Sequence, residues 1–419
     1  MSEQAEVVST ATDEQGFTAY QWRLFAFLSV ATFFEGFDMF ALTQILPSLQ
    51  EEWHLTKFQV GLLAGSTNVG TVLAYLLVRR ADRWGRRRVM SVTIAGYTIA
   101  SLLTAATQGP VSFAILQCIA RVFLIGEWAT AMVYAAEEFP ASRRGTVVGI
   151  IQAVASLGAI VCAAIVPTLL KTDLKWRTIY LVGAVPLVIV AFARRTLRES
   201  ARFEQAKSEG KAEARDFFAI LRSPHKGRVL QLGLIWALTY VCTQNTVTFF
   251  KTFALEERSW TDKQVGSAVT IAAIASLPML FLVGRMLDRI GRRRGALVVY
   301  GSLIVGCLGA FGLASRSAVI ASLVLAVFAQ SAVLALLNAY TGELFPTELR
   351  GDAFAWSNNL LGRIGYVTSP VALGALAEKI GWGKAVESTT IFAFGALVLL
   401  WLWLPETKGR ELEDTARVH

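Results

Sequence analysis

The chain has 419 residues, 54% of them hydrophobic and only 17% charged, and it carries a net charge of +9. A soluble globular domain holds roughly a quarter charged residues, so this composition, with a mean hydropathy of +0.50, excludes an ordinary soluble domain. The positive balance by itself suggests nucleic acid as a partner, but its distribution along the chain argues against that.

Twelve apolar runs are each long enough to cross a bilayer as a helix, which takes about 20 residues. They lie at roughly 22–48, 57–79, 88–108, 111–136, 146–170, 178–196, 228–253, 264–287, 295–314, 317–342, 352–376 and 386–404. Residues 1–20 are polar and acidic, and no cleavable signal peptide is expected there. The first run carries Glu35 and Asp38, three apart and so on one helix face. The fourth carries Gln117 and Arg121, one turn apart on a shared face, with Glu127 about 120° away and directed at a neighbouring helix. After the sixth, the longest polar interruption runs from Arg194 to Arg228 and predicts short amphipathic helices at the membrane surface. In the seventh run Trp236, Tyr240, Gln244 and Thr248 recur every four residues. Gln330, Asn338 and Thr341 share one side of the tenth, and Arg363 follows Asn359 by one turn in the eleventh. The expected organisation is a tail at 1–21, a six-helix half at 22–196, a linker at 197–227, a second half at 228–404 and a tail at 405–419.

With the even-to-odd loops on one side, that side holds 24 Lys and Arg, ten of them between Arg194 and Arg228. The opposite loops hold ten, Lys57 and Lys251 among them. This bias predicts both termini in the cytoplasm and an inner-membrane location, with the basic charge serving topology. Cys118, Cys162, Cys242 and Cys307 all lie inside apolar runs and read as small core residues. The three histidines lie in loops or at the end. No metal site, cofactor or nucleophile–base constellation is expected, and therefore no enzyme.

Two basic motifs recur at one offset of 206 residues. Asp82-Arg83-Trp84-Gly85-Arg86-Arg87-Arg88 returns as Asp288-Arg289-Ile290-Gly291-Arg292-Arg293-Arg294. Glu137-Glu138-Phe139-Pro140 with Arg144-Gly145 returns as Glu343-Leu344-Phe345-Pro346 with Arg350-Gly351. A shared offset implies a duplicated half, as in many secondary transporters, with the cargo site where the halves meet. The element Gly284-x-x-x-Asp288-Arg289-x-Gly291-Arg292-Arg293 resembles the signature loop of the major facilitator superfamily, although the first copy has Val78 in place of its glycine. Arg198-Glu199-Ser200-Ala201-Arg202-Phe203 and Pro405-Glu406-Thr407-Lys408-Gly409 resemble the motifs that follow the sixth and twelfth crossings of its sugar-porter-like and metabolite–proton branches. The resemblance covers nearly the whole chain. It implies an all-α membrane protein with twelve transmembrane helices in two pseudo-symmetric six-helix halves.

The resemblance further implies that the loop motifs form a gate. Its expected members are Asp82, Arg83, Gly85, Arg86, Glu137 and Arg144, with Asp288, Arg289, Gly291, Arg292, Glu343 and Arg350 as their repeats. Forked guanidinium donors can link carboxylates on adjacent helices and release them in another state. Phe34-Glu35-Gly36-Phe37-Asp38 resembles the Asp-Gly-x-Asp element of bacterial aromatic-acid–proton symporters. In relatives an arginine stands where this chain has Gln117, so the guanidinium of Arg121 has moved one turn along.

A charge at the bilayer centre costs roughly 2.5–3.5 kcal/mol on insertion scales. Glu35, Asp38, Arg121, Glu127 and Arg363 are therefore expected to face a cavity or one another. The leading expectation is a monomeric, proton-coupled symporter of a small organic anion, with the lipid bilayer as its surroundings and no nucleic acid as partner. Asp38, Glu35 and Arg121 would handle the proton. Arg121, Gln117, Arg363, Asn359, Trp236, Tyr240, Gln244 and Asn338 would meet the substrate. The alternatives are an organic-cation or drug transporter with the cation on Glu35 and Asp38, a sugar-like facilitator, and a non-transporting nutrient sensor.

Overall fold

The computed structural model describes residues 17–193, 198–199, 204, 218–346 and 348–409, the side chains at 76, 79–83, 141–142 and 189–193 excepted. The first half comprises α1 (Ala19–Glu52), α2 (Lys57–Trp84), α3 (Arg86–Ala105), α4 (Pro110–Glu138), α5 (Ala141–Leu169) and α6 (Arg177–Ala193). A short α7 (Ala219–Arg222) precedes the second half; the rest of the expected linker helices lie outside the described residues. The second half comprises α8 (Lys226–Thr248), α9 (Phe250–Glu256), α10 (Asp262–Ile290), α11 (Arg292–Gly312), α12 (Arg316–Glu343), α13 (Arg350–Phe354), α14 (Arg363–Ile380), α15 (Trp382–Ser388) and α16 (Thr390–Trp403). A π-helical stretch, Ala355–Gly362, joins α13 to α14. The seventh, eleventh and twelfth crossings are thus composite: α8 with α9, α13 through α14, and α15 with α16. All twelve apolar runs are helical at their centres, as the sequence predicts.

Local chemistry sets the helix starts. Thr18 and Gln21 form a capping box at α1, and Thr261 and Gln264 do the same at α10, each pair satisfying orphan amides. Pro110 opens α4, where its missing N–H costs nothing. Gly85 and Gly291, with φ of 94° and 90°, form the breaks between α2 and α3 and between α10 and α11. Only glycine adopts this backbone without strain, which gives the glycine of the repeated basic motif a physical reason.

The halves meet through α2 on α14 and through α10 on α5. These are the second and eleventh, and the eighth and fifth, crossings, so the interface itself follows the repeat. The joining contacts gather at the end away from the termini. There Gly61 lies so close to α14 that a Cβ would sit 2.2 Å from the Pro370 carbonyl, and Gly374 packs back onto Gly61 and Lys57. Phe58 N donates to Glu378 Oε1 at 3.1 Å, and Lys57 Nζ reaches Glu256 at 3.6 Å. The contact continues to mid-bundle, where Asn68 Nδ2 donates to the Tyr366 carbonyl at 3.3 Å. The second and seventh crossings bury several polar side chains, Thr67, Asn68 and Thr71 in the one and Thr239, Thr243, Asn245, Thr246 and Thr248 in the other.

Candidate functional site

A cavity of about 340 Å³ lies between the halves, lined from α1, α5, α8, α9, α10, α12 and α14. Its polar groups include Thr43, Gln44, Ser156, Gln244, Thr248, Gln330 and Tyr366, set among apolar residues such as Met39, Phe40, Ile160 and Leu280. That mixture suits a small, partly apolar molecule oriented by a few polar groups. Of the expected substrate residues, Gln244 reaches this lining; its amide donates to Thr248 at 3.0 Å, as their four-residue spacing predicts.

A second cluster lies within the first half, behind α1. Asp38 is 6% exposed and lies beside Tyr97 of α3 in a small recess with Phe37, Ser101 and Tyr180. Arg121, 3% exposed, exerts its charge on both Asp38 and Glu35, and Glu127 also acts on Glu35. The Arg121 guanidinium touches the Met39 sulfur, and Met39 in turn lines the cavity. Glu127 accepts from Thr93 Oγ1 at 2.5 Å, which realises the predicted turn toward a neighbouring helix. The structure therefore brings Glu35, Asp38, Arg121 and Glu127 together. Gln117 differs from its expected place: its amide donates to Thr104 at 3.2 Å and it is buried against α3, away from the cavity lining.

The third cluster backs the cavity on the opposite side. The Trp236 and Tyr240 rings stack at 5.4 Å, and Arg363 lies 5.2 Å from the Tyr240 ring and 4.7 Å from that of Tyr366. Arg363 thus sits behind Tyr366, which itself lines the cavity. Asn359, expected to meet the substrate, is outside the cavity lining, while its neighbour Asn358 accepts from the Tyr240 hydroxyl at 2.7 Å. Both asparagines lie in the π-helical stretch, whose register departs from a 3.6-residue period. Asn338 is exposed and outside the cavity lining, so its shared side with Gln330 does not place it at the cargo space.

Sequence reasoning missed Lys251. It was counted with the far loops, yet it lies within α9, is 2% exposed and lines the cavity. It is the one Lys, Arg, Asp or Glu among the described lining residues. Its Nζ and Asp262 Oδ1 approach to 2.5 Å as an ion pair whose angle falls outside hydrogen-bond geometry. The signal was present: Lys251 interrupts an apolar stretch from Phe249 to Leu255, and its repeat partner is Ile45.

At the termini-bearing end, the described motif links join helices within each half. Arg86 Nη2 meets Glu137 Oε1 at 3.1 Å, and Arg292 Nη2 meets Glu343 Oε1 at 2.7 Å. Asp288 pairs with Arg292 at 2.9 Å, one turn along the chain. The side chains of Asp82 and Arg83 lie outside the described residues. The Arg289 carbonyl accepts from Lys408 Nζ at 2.6 Å, Arg350 Nε donates to the Phe345 carbonyl at 3.1 Å, and Arg144 Nε is buried without a hydrogen-bond partner among the described residues. The carboxylates that accept from neighbouring helix N-termini are glutamates. Glu199 takes the amides of Arg86 and Arg87, and Glu406 takes those of Arg292 and Arg293 at 2.8 and 3.0 Å. Burial acts to raise the Glu406 pKa, but the surrounding amides outweigh it, so this carboxyl titrates below its ordinary range.

A family model described as Major Facilitator Superfamily matches residues 28–255 and 232–418. The chain is 26% identical over 388 residues to the "Probable 4-methylmuconolactone transporter" of Cupriavidus pinatubonensis, covering 91% of this chain and 89% of that one. It is 25% identical over 397 residues to the cis,cis-muconate transport protein of Acinetobacter baylyi, covering 92% and 95%. Its fold matches the xylose transporter of E. coli with a TM-score of 0.74 at 16% identity, over 94% of this chain and 99% of that one.

Proposed function

We propose, from the premise that the chain belongs to the Major Facilitator Superfamily and is a membrane transporter, that it moves a small organic acid together with protons. The observation that carries this reading is the charge balance of the first-half cluster. Glu35 and Asp38 share one guanidinium, that of Arg121, inside a helical bundle. One cation can neutralise one carboxylate. Holding further bare carboxylates away from water is costly, and proton uptake is the ordinary relief. Asp38 is the proton carrier in this reading, because it sits beside Tyr97 in a recess of its own, while Arg121, which acts on it, touches Met39 of the cavity wall.

The cargo reading has separate support. Similar proteins are named as carriers of muconate, gallate and niacin, all small organic acids. The cavity offers such a molecule amides, hydroxyls, apolar walls and a lysine, but no carboxylate among its described lining residues. That distribution disfavours a cation as cargo. Alternation would proceed by rocking of the halves about the interface of α2 with α14 and α5 with α10. The loop-charge bias supports both termini in the cytoplasm.

The test is uptake of cis,cis-muconate, gallate and nicotinate into proteoliposomes under an imposed pH gradient. The wild type should accumulate at least one of them. Asp38→Asn should lower accumulation by an order of magnitude or more while exchange without a gradient persists. Accumulation by Asp38→Asn at the wild-type level removes Asp38 from the coupling.

A further inference from the structure

We propose that Lys251 is the group that receives the carboxylate of the cargo, and that Asp262 is the counter-ion it leaves to do so. This deepens the organic-acid reading and rests on it. Three observations lead here. Lys251 is a cation in a cavity wall otherwise made of neutral side chains. Gln44, on the facing helix α1, lines the same cavity, is 2% exposed, and has its Oε1 buried without a partner among the described residues, an acceptor ready for a donor group on the cargo beside its carboxylate. The Lys251–Asp262 pair stands between two spaces: Lys251 lines the central cavity, and Asp262 lines an outer recess of about 850 Å³ between α5 and α10.

The pair is built to come apart. Asp262 opens α10, where the helix dipole and first-turn amides favour its charge without help from a lysine. Its side chain is 42% exposed, so water can take over when the lysine leaves. Lys251 has no such relief. Buried at 2% exposure, it needs an anion close by, and a lysine is a compact charge on a flexible stem that can swing between two. A cargo carboxylate in the central cavity supplies the second anion. Its arrival would release Asp262 at the contact that separates the cavity from the recess. The seal at this end would therefore loosen when an anion is present, linking cargo charge to opening.

The experiment measures binding of cis,cis-muconate, gallate and nicotinate to the full-length purified protein by calorimetry, with the amide nicotinamide as the uncharged control. Lys251→Met should lose tenfold or more in affinity for whichever acid the wild type binds. Asp262→Asn removes the competitor and should bind that acid several-fold more tightly. Lys251→Met binding the acid within twofold of wild type overturns the assignment, and so does an Asp262→Asn variant with unchanged or weaker affinity. Should Lys251→Met not fold, Lys251→Arg together with Asp262→Asn decides: the proposal requires Arg to retain acid binding and Asn to raise it. No response of the wild type to any of the three acids fails the organic-acid reading first and this inference with it.

Discussion

At the termini-bearing end the two halves are built alike. Each sets an arginine at a helix start against a glutamate 51 residues later, Arg86 with Glu137 and Arg292 with Glu343, and each caps that helix start with a second glutamate. Their interiors differ. The positions equivalent to Glu35, Asp38, Arg121 and Glu127 are Val241, Gln244, Val327 and Val333. Val333 is fully buried in the core of the second half. In place of the charged cluster the second half offers Lys251 and the aromatic platform of Trp236, Tyr240 and Tyr366 under Arg363. The difference teaches a division of labour: the duplicated frame serves motion, the first half serves charge balance, and the second half serves contact with cargo.

The largest expected effect comes from breaking the charged interior. Arg121→Gln takes away the cation that Asp38 and Glu35 share, and removing one partner from a buried ionic group costs about 3–5 kcal/mol. We expect a clear fall in the unfolding midpoint in detergent, partly reversed when Asp38→Asn is added, because that removes the excess charge. An unchanged midpoint would mean that the cluster is not held by its electrostatics. The comparison sharpens at Val327→Gln, the same end product in the other half, which should cost less because no carboxylate depends on that site.

A smaller effect should follow at the seam. Gly61 has the Pro370 carbonyl 2.2 Å from where its Cβ would be, whereas Gly149 faces open space. Gly61→Val forces α2 and α14 apart, and overpacking of this kind costs about 1–3 kcal/mol. Here the cost falls on the closed far end and not on either half. We expect transport to drop by roughly tenfold, the equivalent of about 1.4 kcal/mol. A cysteine at Ser267, in the outer recess, should then label faster from that side. Gly149→Val is the control, and equal losses in both variants would assign the effect to folding and not to closure.

Periodicity and length made the twelve helices legible, because a bilayer demands about 20 apolar residues per crossing whatever the packing. Repeat arithmetic made the frame legible, since one offset matched Arg86 and Glu137 to Arg292 and Glu343 as corresponding residues. What the sequence hid had local causes. Asn358, which meets Tyr240, and Asn359, which stays outside the cavity lining, lie in a π-helical stretch, and no pattern of side chains announces a change of helical pitch. Gln117 turned to Thr104 because a hydroxyl on α3 was within reach, a tertiary fact invisible in one helix. Lys251 was visible as a charge but lay near the end of a crossing, where a lysine ordinarily extends to water; only the fold shows that α9 buries it.

The smallest effect concerns the glutamates that cap the helix starts, and it asks whether the likeness of the two corners is energetic as well as geometric. Glu406 accepts from four backbone amides, those of Arg292, Arg293, Thr407 and Lys408, and titrates below its ordinary range. A carboxyl whose folded pKa is depressed contributes stability that is present above its unfolded pKa, about 4.3, and lost as pH falls through the folded value. Glu406→Gln should therefore flatten the acid limb of the unfolding midpoint below about pH 4.3. At neutral pH Glu406→Ala should cost about 1 kcal/mol, the usual value of a lost helix cap, since exposure to solvent screens the rest. Glu199→Ala makes the same cut at the start of α3. Similar losses at the two sites would show that duplication preserved the strength of the corner. A loss confined to Glu406 would show that the corners share a shape while only the second bears weight.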